Sequence, residues 1–100
     1  MKAARARSRS RARKPSSLET IFVGPAPRLA LSLAGDGELV FFLHGIGGNR
    51  RHWDAQLAFF SSRYRAAAWD ARGYGDSDDY EGPLEFSTFS ADLVRVLDHL

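Results

Sequence analysis

The 100-residue chain has no cysteine, which excludes disulfides and thiolate metal sites and gives no sign of an oxidising compartment. It has no long apolar run either. The longest, residues 39–43, falls far short of the ~20 residues that span a bilayer, so a soluble, cytoplasmic protein is expected. Acidic residues are missing from positions 1–14, which hold seven basic ones. The rest of the chain carries seven basic against twelve acidic residues, a net charge of −5. The high isoelectric point of 9.4 therefore belongs to the tail. The acidic remainder disfavours nucleic-acid binding by the domain.

Residues 1–17 alternate Arg with Ala and Ser and end in Pro15-Ser-Ser. Dense like charge without apolar periodicity predicts a disordered basic extension. It lacks the apolar core of a secretory signal. Its composition also fits a transit peptide, or a basic patch that attracts nucleic acid or anionic lipid. Residues 18–100 read as the domain.

Within the domain, residues 19–24 read as a first strand, ended by Gly24-Pro-Ala-Pro27. Residues 28–34 alternate, with Leu29, Leu31 and Leu33 on one face and Ala30 and Ser32 on a less buried one. Gly35-Asp-Gly37 offers hairpin turn chemistry, so residues 38–43 are expected to return beside that strand. From Asn49, a candidate N-cap, the pattern turns helical, with Trp53, Leu57 and Phe60 at i, i+4 and i+7. Residues 64–69 form a fourth strand. Ser87 or Thr88 is expected to cap a second helix with Phe89, Leu93, Val96, Leu97 and Leu100 on its apolar face. The aromatic residues Trp53, Phe59, Phe60 and Trp69 fall at these spacings and are core candidates before they are a stacking surface.

Two segments carry chemistry. Leu39-Val-Phe-Phe-Leu-His-Gly-Ile-Gly-Gly48 is an apolar run that breaks abruptly into glycines. The run lacks alternation, which suits a strand covered on both faces. The glycines let backbone N–H groups approach a ligand closely. Asp70-Ala-Arg-Gly-Tyr-Gly-Asp-Ser77 follows the next short apolar strand. An Asp and an Arg two apart in a tight glycine turn, Asp70 and Arg72, can satisfy each other. The acidic positions Asp76, Asp78, Asp79 and Glu81 do not have EF-hand spacing, so no metal is expected.

The HG-x-G loop after a strand, paired with D-x-R-G-x-G-x-S after the next, resembles the α/β-hydrolase family from about Leu18 onward. The resemblance implies the N-terminal part of an α/β fold: a mostly parallel sheet with antiparallel first strands and helices on both faces. It implies that the Ile46 backbone N–H is one of two oxyanion-hole donors, supported by His44, Gly45 and Gly47. It gives His44 a bracing role, because the family's catalytic histidine comes late in the chain. Asp70, Arg72, Gly73, Gly75 and Ser77 would shape the rim of the site, at the sheet edge where α/β folds bind ligands.

The family's nucleophile sits in a G-x-S-x-G elbow, and none occurs here. Gly73-Tyr-Gly-Asp-Ser77 has its serine last. The nucleophile, acid and base are therefore expected beyond residue 100, and residues 1–100 alone are expected to be inactive. The residues from His44 to Trp53 resemble the enol-lactonase and carboxylic-ester hydrolase branch. Epoxide hydrolases usually show proline where Gly47 stands, and haloalkane dehalogenases a halide-binding side chain where Ile46 stands. The expected partner is a small ester or lactone substrate, hydrolysed by a serine nucleophile without cofactor. The alternative is a hydrolase-fold receptor that binds a small molecule with little or no turnover. As a third reading the basic tail itself is the function, as a nucleic-acid or membrane tether.

Overall fold

The computed structural model describes residues 18–100; the basic extension expected at residues 1–17 lies outside them. Strand β1 (Glu19–Val23) runs antiparallel to β2 (Leu29–Ala34). Strand β3 (Leu39–Phe42) is followed by a 3-10 turn (Arg50–Trp53), helix α1 (Asp54–Phe60), strand β4 (Arg65–Trp69) and helix α2 (Phe86–His99). The sheet order is β1-β2-β4-β3. β2 pairs antiparallel with β4, Leu31 opposite Trp69, and β3 pairs parallel with β4, Phe42 opposite Ala68.

The hairpin expected at Gly35-Asp-Gly37 does not form, because β4 inserts between β2 and β3. The segment is instead a crossing. Gly35, at φ +81°, passes so close to the end of α1 that a Cβ there would sit 2.2 Å from the Tyr64 carbonyl oxygen. Only glycine combines that conformation with that approach.

The two helices cover opposite faces of the sheet. Alternate residues of β4 point to each side, as the strand period requires: Ala66 and Ala68 pack under Leu57 of α1, and Trp69 packs with Val96 of α2. Ala66, Ala67 and Ala68 are fully buried, and their small side chains let both layers close on the central strand. β2 is buried along all six residues, so the less buried face expected of it is absent. The Leu29 and Leu31 face meets α2, while the guanidinium of Arg50 covers Ser32 on the other. β3 takes the reverse correction. It is only half-buried, because it is the edge strand of the described sheet.

Asn49 caps the 3-10 turn, its side-chain oxygen accepting the Arg51 N–H at 2.8 Å. Neither Ser87 nor Thr88 caps α2. The cap is Glu85, in extended backbone and without a side-chain bond, and both hydroxyl residues fall inside the first turn. On α2, Phe89, Leu93, Val96 and Leu100 face the core as expected, but Leu97 is 40% exposed. Among the described residues no helix is long and apolar enough to cross a membrane.

Candidate active site

Because β3 and β4 are parallel neighbours, their C-terminal ends lie side by side, and the loops 43–49 and 70–77 leave the same sheet edge. The first loop turns on a Gly48 N–H to Gly45 carbonyl bond of 2.9 Å, with Gly47 in the left-handed region at φ +81°. Ile46 occupies the outer corner of this turn. The residue is 98% exposed, and among the described residues its N–H meets no hydrogen-bond partner.

Both ends of the loop are fastened to residues 70 and 71. At the start, His44 Nε2 accepts the Ala71 N–H at 3.1 Å, and Nδ1 lies 2.9 Å from the Gly45 carbonyl. An imidazole that accepts at Nε2 and faces a carbonyl at Nδ1 is the neutral Nδ1–H tautomer. With both nitrogens engaged, no ring nitrogen is left to relay a proton. At the other end, the Arg50 N–H donates to Asp70 Oδ1 at 2.7 Å.

Asp70 is fully buried and is the hub of the second loop. Its Oδ2 also accepts the Arg50 guanidinium at 2.5 Å and the Asp76 N–H at 2.9 Å. Gly75 makes this approach possible, since a Cβ there would lie 2.3 Å from Asp70 Oδ2. Sequence reasoning paired Asp70 with Arg72; the structure pairs it with Arg50. Arg72 instead makes a bidentate pair with Asp92 of α2, at 2.7 and 2.8 Å, and so ties the rim to that helix. Hydrogen bonding to Asp92 raises the Arg72 pKa above its ordinary value despite partial burial.

Ser77 Oγ accepts the Ala30 N–H at 2.8 Å and donates to the Asp70 carbonyl at 2.5 Å, so its hydroxyl stitches the loop to β2. Gly73, at φ +80°, leaves no room for a side chain, since a Cβ there would lie 2.7 Å from the Tyr80 ring. His52 and His99 are exposed, and the His52 ring lies beside the first loop, where a Cβ on Gly48 would sit 3.1 Å from its Nδ1.

Arg50 is the residue that sequence reasoning missed. Nothing in Asn49-Arg-Arg-His52 singles it out in the sequence, yet it is 4% exposed. Burial works against its charge, but hydrogen bonds and the negative charge of Asp76 and Asp70 outweigh that and hold its pKa above the ordinary value. A shallow depression of about 480 Å³ beside the rim is walled by Pro27, Arg72, Asp78, Asp79, Tyr80 and Glu81 and does not reach Ile46. Among the described residues no group of His, Asp and Glu is placed to hold a metal ion.

The sequence model of the alpha/beta hydrolase family matches residues 40–100, which hold both loops. The chain belongs to the alpha/beta hydrolase family. It is 32% identical over 65 residues to 3-oxoadipate enol-lactonase 2 of Acinetobacter baylyi, covering 65% of this chain and 24% of that enzyme. It is 44% identical over 69 residues to epoxide hydrolase 2 of Siraitia grosvenorii, covering 66% of this chain and 22% of that enzyme. The chain thus spans about a quarter of the length of these curated relatives. Among solved structures, it superposes on E-2-(acetamidomethylene)succinate hydrolase with a TM-score of 0.77 at 26% identity, covering 83% of this chain and 31% of that one. An epoxide hydrolase of Vigna radiata matches at a TM-score of 0.69 and 34% identity, over 82% of this chain and 27% of that one. For this alpha/beta hydrolase chain the likeness thus spans the four-stranded sheet as well as the two loops.

Proposed function

We propose that residues 44–48 form one side of the oxyanion hole of a hydrolase that cleaves a small ester or lactone with a serine nucleophile lying beyond residue 100. One observation carries this: the Ile46 N–H, unpartnered among the described residues, stands on a loop pinned at both ends, by His44 to Ala71 and by Arg50 to Asp70. A donor held in place before reaction stabilises charge developing on a carbonyl oxygen without reorganising. The reading needs neither metal nor cofactor. Residues 1–100 alone turn nothing over in this scheme, since the Ser77 hydroxyl is engaged at both its donor and acceptor and His44 has no free nitrogen.

The enol-lactonase relative supports lactone or ester chemistry. A second reading, hydrolysis of an epoxide, draws on the 44% identity to a plant epoxide hydrolase. Gly47, where such enzymes usually show proline, favours the first. Assays of the whole protein on δ-valerolactone, p-nitrophenyl acetate and styrene oxide separate the two, and tight binding without turnover of any of them would favour a receptor.

The test of the loop itself is a pair of substitutions in the whole protein. Ile46→Val keeps the N–H and most of the exposed side chain, so activity is expected to stay near wild type. Ile46→Pro removes the N–H, and kcat is expected to fall by ~10²–10³, the effect of losing one oxyanion donor. Ground-state binding should weaken less than kcat. A folded Ile46→Pro protein with near-full activity would falsify the assignment.

A further inference from the structure

One buried cation is not used by the scheme above. The Arg50 guanidinium is distributed over four residues in three segments of the fold: Nε donates to Ser32 Oγ of β2 at 2.9 Å, and one terminal nitrogen meets Asp70 Oδ2 and Asp76 Oδ2 of the second loop, the latter at 3.0 Å. The other terminal nitrogen lies 3.5 Å from Thr20 Oγ1 of β1. Its side chain is 5% exposed, beside an Asp70 carboxylate that is 1% exposed. Burying such a pair is costly and is retained only where geometry and further hydrogen bonds are good.

The same residue closes the 44–49 loop through its own N–H to Asp70 Oδ1. A single carboxylate therefore receives the main chain of Arg50 on one oxygen and its side chain on the other. The planar fork fixes its angle, because the guanidinium is also held by Ser32 at a right distance from a rigid strand. Rotation of the Asp70 carboxylate, which would carry the end of the loop with it, is blocked from both sides. An ammonium at this position would satisfy the charge without fixing that angle.

We propose that Arg50 is a positioning residue for the Ile46 donor, acting through Asp70 to set where the oxyanion loop ends. The proposal rests on the reading of Ile46 given above, and it predicts a local effect where a merely structural ion pair predicts a global one. Arg50 touches no substrate in this scheme. It sets the height of the loop over the sheet edge, and a displacement of the order of 1 Å at a reacting centre costs up to ~10²-fold in rate.

The experiment is Arg50→Lys in the whole protein, read by amide hydrogen exchange and by kinetics. Lys keeps a charge opposite Asp70, so the fold is expected to survive. Exchange at the Gly48 and Ala71 amides, which bond within the loop and to His44, should rise by about tenfold or more, while β2 and β4 amides stay protected as in wild type. On an ester substrate kcat should fall about tenfold with KM within about twofold of wild type.

Ser32→Ala serves as the second variant. It removes the Nε acceptor without changing charge, and a smaller change of the same pattern is expected even if Arg50→Lys fails to fold. Exchange that rises equally in the strands, or does not rise at Gly48 and Ala71, overturns the proposal. If the wild-type protein hydrolyses none of the substrates named above, the proposed function falls. The exchange pattern then still decides whether Arg50 sets the loop.

Discussion

The imidazole of His44 accepts the Ala71 amide at 3.1 Å, joining the second residue after β3 to the loop that follows β4. Under the proposed reading this bond makes the histidine a brace for its loop. Ala71 is 6% exposed, so its N–H has no easy recourse to water. His44→Ala is therefore expected to cost about 1–3 kcal/mol, the penalty of an unsatisfied buried donor, seen as a lower midpoint in urea denaturation. Any loss of kcat should leave the shape of the pH–rate profile unchanged. A profile that loses a histidine-like inflection on its acidic limb in His44→Ala would make His44 the base and sink the bracing role.

Gly75 stands against the Asp70 carboxylate with no room for a methyl group, the added Cβ falling 2.3 Å from Oδ2. That oxygen is already held by Arg50 and by the Asp76 amide and has nowhere to move. Gly75→Ala is expected to destabilise by about 1–3 kcal/mol through overpacking, with a further ~1–2 kcal/mol for its left-handed backbone. Gly82, also at positive φ, faces open space and isolates the backbone part. Thermal melts in which Gly75→Ala costs no more than Gly82→Ala would remove the steric argument.

The parts of the fold that were legible in the sequence are those decided locally. An unbroken apolar run ending in His44-Gly45 marks a strand and its loop within ten residues, and the 70–77 motif does the same. Leu57 and Phe60 announce α1 by spacing alone. The β2–β3 hairpin failed because the competing partner, β4, lies some thirty residues further on, and only a tertiary pairing decides between them. The run Ala66-Ala-Ala68 was the available sign, since small residues suit a central strand packed on both sides. Arg50 was hidden for the same reason. Its partners Thr20, Ser32, Asp70 and Asp76 stand 18 to 30 positions away, and polar residues on otherwise apolar strands were the only hint of a buried charge.

Asp92 sits at the meeting of the rim and α2, its carboxylate 4% exposed and shared between Arg72 and, at 3.5 Å, Arg95. Arg95 in turn donates to the Pro25 and Pro27 carbonyls and so fixes the connection between β1 and β2. Removing one partner of a buried pair typically costs about 3–5 kcal/mol. Because Arg72 and Arg95 retain some solvent contact, Asp92→Asn is expected near or below the lower end of that range. Equilibrium denaturation of the variant measures it, and a change within about 0.5 kcal/mol would mark the pair as surface-like.

The pH dependence of stability offers a test at Asp78, whose carboxylate accepts the Arg28 N–H at 2.8 Å and the Arg28 guanidinium at 3.1 and 3.2 Å. These bonds and the adjacent charge hold the Asp78 pKa below its ordinary value. A carboxyl whose pKa is lower folded than unfolded binds fewer protons in the native state, so stability rises with pH across that interval. The contribution is complete above the unfolded value of about 4 and is lost as pH falls through the folded one. Asp78→Asn lacks it at every pH. The melting-temperature difference between wild type and Asp78→Asn is therefore expected to be constant from pH 5 to 8 and to shrink toward zero as the pH drops below about 4. Because the pair is exposed, raising the salt concentration should shrink the plateau difference as well. A difference that persists unchanged at pH 2 would mean that Asp78 acts through packing or its backbone contacts rather than through its charge.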